Sequence, residues 1–184
     1  MARPGDVIES SHAGDRIAFL RTRTETNGEL LEADLFIRSG GEGPPEHIHP
    51  SQEERFVVLS GSFTIRIADK EILFNAGEEC VVSPATPHRW WNAGEREAHI
   101  RLELRPAGRM DRFLEAIYGM DQDGRMSPRN FLQIAVILWE FRDADRMTSP
   151  PFVVQRIVFR FLAKLGRLLG YKPDYPYPYQ RSAV

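Results

Sequence analysis

Between residues 16 and 105 the chain is written in short runs in which β-branched, aromatic and aliphatic residues recur among polar ones: RIAFLRTRT, LLEADLFIRS, RFVVLS, SFTIRIA, EILFNAG, ECVVS and HIRLELR. Gly, Asn, Asp and Pro punctuate them. Apolar residues at alternate positions give a strand one face for a core, because successive strand side chains point to opposite sides. Many short strands separated by turn residues predict an antiparallel sandwich or barrel. After Gly108 the period lengthens, and DRFLEAIYGM, SPRNFLQIAVILWEFRD and SPPFVVQRIVFRFLAKLGRLLG predict helices. Ser127 and Ser149 read as N-caps with Pro128 and Pro150 at the first helical position, and Gly170 reads as a C-terminal stop. The final YKPDYPYPYQRSAV cannot continue a helix and predicts an extended strap across a surface. The expected organisation is a β domain over residues 1–108 and a helical extension over 109–184, packed on the barrel or on a dimer partner.

Composition narrows what such a chain can do. With 184 residues, 42% of them apolar, it can bury one core of ordinary size. A formal charge of −2 provides no global basic field, so nucleic acid is not an expected partner. The first residues lack the apolar segment of a signal peptide, and Cys80 is the only cysteine, so a cytoplasmic location without an intramolecular disulfide is expected. FLQIAVILWEF, residues 131–141, is apolar nearly all round and needs burial on several sides, yet its eleven residues are too few to cross a bilayer. A homodimer that helps to bury this tail is expected. Arg156, Arg160, Lys164 and Arg167 recur at helical spacing in the last helix. A solvated face explains that stripe better than a membrane surface does.

The chemistry concentrates in PPEHIHPSQEERFVVLSG, residues 44–61. On a strand, His47 and His49 share one face. By itself the pair is also compatible with an exposed loop, so the rest of the chain must decide. Glu54 follows five residues later, a spacing that suits a bend at residues 50–52 and re-entry on the next strand. His88, in SPATPHRWWNAG, lies on a later strand that antiparallel pairing can return to the same place. Three imidazoles and one carboxylate are a ligand set for a divalent first-row metal. Phe56 and Val58 alternate onto the Glu54 face, and Trp90 and Asn92 onto the His88 face. Phe56 and Trp90 could line a pocket for an aromatic or apolar substrate, or simply fill a barrel. Arg66 is expected to face outward, His12 and His99 to be surface or core-edge residues, and Cys80 to be a small hydrophobe. DQDGR, residues 121–125, lacks the later ligands of a calcium loop and reads as a turn.

Gly41, His47-x-His49, Glu54 and Gly61 have the spacing of the first cupin motif, and Gly77, Ser83, Ala85, His88 and Asn92 that of the second. The chain resembles the cupin superfamily over about residues 15–105, with Ser83 where Pro is usual and Ala85 where Gly is usual. That resemblance implies a mainly β, double-stranded β-helix barrel followed by the helical extension. It implies a metal inside, held by His47, His49, Glu54 and His88, with Gly61 and Gly77 as turn residues. Four protein ligands leave one or two positions free on a five- or six-coordinate ion, which histidine and carboxylate donors allow to be Fe, Mn, Ni, Cu or Zn. The expected activity is that of a metal-dependent dioxygenase or related oxidoreductase acting on a small organic molecule, with Glu54 as the catalytic carboxylate. The rival expectation is a non-catalytic sensor whose barrel binds a small molecule or metal.

Overall fold

A computed structural model describes residues 1–10 and 14–179; His12 lies outside them. Ten strands occupy the first part of the chain: β1 (Val7–Glu9), β2 (Asp15–Arg21), β3 (Leu31–Ile37), β4 (His47–Ile48), β5 (Glu53–Ser60), β6 (Ser62–Ile67), β7 (Lys70–Asn75), β8 (Glu79–Val82), β9 (His88–Trp91) and β10 (Ala98–Arg105). Three helices follow, α1 (Met110–Gln122), α2 (Phe131–Glu140) and α3 (Phe152–Leu168), with a short strand β11 (Arg146–Met147) between the last two. The strands form two antiparallel sheets, ordered β1-β2-β3-β10-β5-β8 and β11-β4-β9-β6-β7. The alternation predicts an antiparallel sandwich or barrel, and the two sheets form the jelly roll that the cupin resemblance implies.

The alternation is visible strand by strand. In β3, Leu31, Ala33, Leu35 and Ile37 turn inward while Glu32, Asp34 and Phe36 turn out. The neighbouring β10 does the same with Ala98, Ile100, Leu102 and Leu104. These residues meet Phe19, Phe56, Phe63 and Ile65 in one continuous core. Outside, Arg101 donates to Asp34 and Glu32 across the β10–β3 register, and Arg66 reaches Glu71, facing outward as expected. Gly61 has φ +75°, and a Cβ there would lie 2.7 Å from the Glu97 carbonyl oxygen, so the tight β5–β6 turn requires glycine. Ala85 takes φ +60°, the left-handed conformation that a glycine would adopt freely.

The helical part is tied to the barrel at several points. α1 buries Met110, Phe113, Ala116, Tyr118 and Met120. Its Tyr118 hydroxyl donates to Asp15, and the Ser10 hydroxyl donates to Asp121 at 2.9 Å. Asp121 thus sits in the end of a helix, and Gly124, with φ +64°, turns the chain after it. In α2, Ile137 joins the core and the following Phe141 packs tilted beside Phe113, while α3 meets α2 at Gly166, against Val136 and Leu132. A Cβ on Gly166 would approach Val136 Cγ2 to 2.7 Å, so the two helices cross at close range. Much of the apolar burial expected of residues 131–141 is therefore met within one chain. An exposed apolar row among the described residues lies on α3 instead: Ile157, Phe161 and Leu168 are at least two-thirds exposed, beside Arg156, Arg160 and Lys164.

Two helix starts differ from expectation. Ser127 precedes only a single 3-10 turn, Pro128–Asn130, and makes no side-chain capping bond. α3 begins at Phe152 after Pro151, so Ser149 does not cap it; two consecutive prolines shift the start past the first. Gly170, with φ +90°, does end α3. The described part of the tail runs as an extended strap over α1 and α2, with Tyr177 accepting from the Glu9 amide and the Lys172 carbonyl accepting from Gln133. β1 and β11 are too short to be read from the sequence.

Candidate metal centre

β4 and β9 are paired so that His47 lies directly opposite His88, and a bend after His49 brings the chain back as β5 with Glu54 pointing inward. All four side chains are buried. Each imidazole is oriented by a backbone carbonyl: His47 Nδ1 donates to Pro45 at 2.9 Å, His49 Nδ1 to Ala144 at 2.8 Å and His88 Nδ1 to Thr86 at 2.9 Å. A carbonyl can only accept, so Nδ1 carries a proton in each ring and Nε2 is the atom turned toward the centre.

The donor atoms of His47, His49, Glu54 and His88 lie within 4.8 Å of one another. Metal–donor bonds near 2.1 Å place two donors on one ion at most about 4.2 Å apart, so a small inward movement completes the spread. Glu54 Oε2 is 2.8 Å from His88 Nε2 and 3.3 Å from His49 Nε2. Yet all three atoms are buried without a hydrogen bond of proper direction. Buried polar atoms without partners are costly. A divalent cation among them would satisfy all three, and the donor types fit one.

Without an ion the site is held by charge. Burial opposes ionisation of both Glu54 and His49, but each outweighs it for the other: the imidazoles hold the Glu54 carboxyl below the usual range, and Glu54 holds His49 up at about 9. His47 goes the other way, down to about 3, because burial and then the neighbouring His88 and His49 disfavour its cation.

One participant was invisible in the sequence. The segment between α2 and β11 folds across the site, so that the Ala144 carbonyl holds His49 and the Asp145 carboxylate comes within 3.8 Å of His47 Nε2. Burial raises the Asp145 pKa to about 6. Asp145 stands nearly a hundred residues beyond the histidine pair, with no motif around it; only the β11–β4 pairing reveals it.

The remaining singled-out residues fall elsewhere. Phe56 is wholly buried and Trp90 nearly so; both pack against Phe63, with centroids 4.9 and 6.1 Å away. Asn92 ties a loop, donating to the carbonyls of Ile37, Arg38 and Arg96 and accepting from the Gly94 amide. His99 stacks on Phe36 at the outer edge of β10, 3.1 Å from Asp34. Burial, then Glu54 and Glu79, pushes the Cys80 thiol up to about 12, so it is not a ready nucleophile.

Residues 35–104, which include all four donors, match the cupin domain family model. The chain carries a cupin domain. The chain is similar to an oxidoreductase of Arthrobotrys oligospora, 30% identical over 157 residues that cover 76% of this chain and 61% of that protein. It is also similar to virH, a probable oxidoreductase of Hypocrea virens, at 27% identity, covering 76% of this chain and 69% of the relative. The chain thus spans about three-fifths of the length of the first of these relatives. Among solved structures, an RmlC-like cupin from Shewanella frigidimarina is 22% identical with a TM-score of 0.47, covering 54% of this chain and 83% of that one. No helix among the described residues is long and apolar enough to cross a membrane.

Proposed function

We propose that this cupin domain binds one divalent transition metal through His47, His49, Glu54 and His88 and serves as a metal-dependent oxidoreductase, a dioxygenase of a small organic molecule. The observation that carries the reading is the clustering of four buried donor atoms within 4.8 Å of one another, three of which, His49 Nε2, Glu54 Oε2 and His88 Nε2, make no hydrogen bond. Oxidoreductase relatives support the reaction class. A bound ion would supply Lewis acidity and, when redox-active, one-electron chemistry. The protein's own contributions are distinct. The three carbonyl-anchored imidazoles present Nε2 in a fixed orientation. Glu54 brings negative charge and a site that can take a proton from substrate. Phe56 and Trp90, two residues along the inward faces from Glu54 and His88, pack in the core behind the donors and would make the surroundings of the centre apolar. The ion could be Fe, Mn, Ni, Cu or Zn, with Fe(II) the first to test.

Elemental analysis of metal-supplied, dialysed protein should find about one ion per chain in the wild type and a small fraction of that in the His49→Ala/His88→Ala double variant; equal content refutes the site. Oxygen-electrode assays with a panel of aromatic and aliphatic substrates then test turnover. Absence of uptake with Fe, Mn, Ni and Cu alike would leave a metal-binding sensor rather than an oxygenase.

The exposed apolar row on α3 supports a second copy of the chain as its cover, giving a cytoplasmic homodimer. Light scattering should report a dimer for the wild type and a monomer for Ile157→Glu/Phe161→Glu; a monodisperse wild-type monomer contradicts the assembly.

A further inference from the structure

The C-terminal segment comes back beside two of the four motif residues, His47 and His49. β11 pairs antiparallel with β4, Arg146 opposite Ile48 and Met147 opposite His47, which continues the register to place residue 145 beside His49. There the Ala144 carbonyl accepts from His49 Nδ1 at 2.8 Å, and Asp145 Oδ2 lies 3.8 Å from His47 Nε2. The Asp145 side chain is 12% exposed, so its carboxylate faces the imidazoles rather than solvent.

We propose that Asp145 is a fifth protein donor at this centre, delivered by the segment that joins α2 to β11. The inference rests on the proposed metal site and extends it. Asp145 Oδ2 lies 3.8 Å from His47 Nε2, within the roughly 4.2 Å that two donors on one first-row ion can span, but outside the group of four whose donor atoms all lie within 4.8 Å of one another, so the α2–β11 segment would bring it inward on binding. Charge points the same way. A dication with three neutral imidazoles and one carboxylate keeps a net positive charge in a buried cavity, whereas a second carboxylate neutralises it, and buried charge is expensive unless compensated. With five protein donors a six-coordinate ion retains a single exchangeable position, so substrate and water compete for one place.

Mn(II), titrated into the full-length metal-free protein and followed by electron paramagnetic resonance, reads this directly. Broadening in ¹⁷O-enriched water counts the waters on the ion, and the titration gives affinity. The expected result is one water in the wild type and two in Asp145→Ala, with affinity weakened about tenfold or more, the range seen when metal-supporting groups are removed. Two waters in the wild type, or the same count in both proteins with affinities within twofold, overturns the role of Asp145 while leaving the four-residue site intact. No specific Mn(II) signal in the wild type overturns the metal site and this inference together. Should Asp145→Ala lose its circular dichroism spectrum, the wild-type water count decides, with the isosteric Asp145→Asn as the affinity comparison.

Discussion

Metal should stabilise this fold without being required for it, and His88→Ala should remove that stabilisation selectively. His88 is fully buried, its Nδ1 engaged by Thr86 and its Nε2 directed to the centre. The barrel core of Phe19, Leu35, Phe56, Phe63, Ile65 and Ile100 forms without any contribution from the imidazoles, so the metal-free protein keeps its strands. An ion that binds only the folded state stabilises it by RT ln(1 + [L]/Kd), about 2.7 kcal/mol at one hundred times Kd. For a chain of this length each kcal/mol moves Tm by about 2–4 °C, so saturating metal should raise the wild-type Tm by about 5–11 °C over the chelated protein. Truncating His88 also leaves a small cavity and frees the Thr86 carbonyl, which lowers Tm in both conditions. That cost cancels when each protein is compared with itself, with metal and with chelator. Calorimetry should therefore give His88→Ala a lower Tm overall and a metal-dependent rise of at most a few degrees. A wild-type Tm that ignores metal, or an undiminished rise in the variant, refutes the reasoning. Loss of the β circular dichroism signature on chelation would refute the independence of the barrel.

Other regions of the fold give sharp expectations. Ala85→Gly should stabilise the protein by about 0.5–1 kcal/mol in thermal unfolding, because relief of a left-handed alanine, about 1–2 kcal/mol, exceeds the added chain entropy of glycine; any destabilisation contradicts it. Tyr118→Phe strips a donor from the buried Asp15 carboxylate and should cost about 1.5–3 kcal/mol near neutral pH. Burial raises the Asp15 pKa, so the folded state binds this proton more readily than the unfolded chain, and the carboxylate form is the one that needs Tyr118. The penalty should therefore shrink as pH falls through the raised pKa, and denaturant titrations that show it growing with acid would be decisive against the assignment. Cys80, with its pKa pushed to about 12, should react with iodoacetamide at pH 8 about a thousandfold more slowly than a free thiol until the protein is denatured; native labelling within tenfold of a free thiol contradicts that environment.

Local sequence determined most of the barrel. Alternation in LEADLFI and AHIRLELR set which residues face inward, since strand side chains have a period of two wherever the strand sits. The spacing from His47 through Glu54 to His88 offered the candidate ligand set through its match to the two cupin motifs, although the β4–β9 pairing that sets His47 opposite His88 joins strands far apart in the chain. Helix starts were less legible: Ser149 resembles a cap, but whether a serine caps depends on where the following prolines let the backbone turn. What only tertiary structure decided is the traffic between the two ends of the chain. Nothing around Asp145 marks it, and its meeting with His47 depends on β11, a two-residue strand that pairs with β4 because α1 and α2 pack where they do. Nor could periodicity tell which apolar helix would be covered. FLQIAVILWEF is the more apolar, yet α2 is enclosed by the core and by α3 at Gly166, and the more amphipathic α3 is left with its hydrophobic row in solvent. Strand periodicity is a property of the local backbone, whereas contacts between distant segments are fixed by how whole elements pack, which no local pattern encodes.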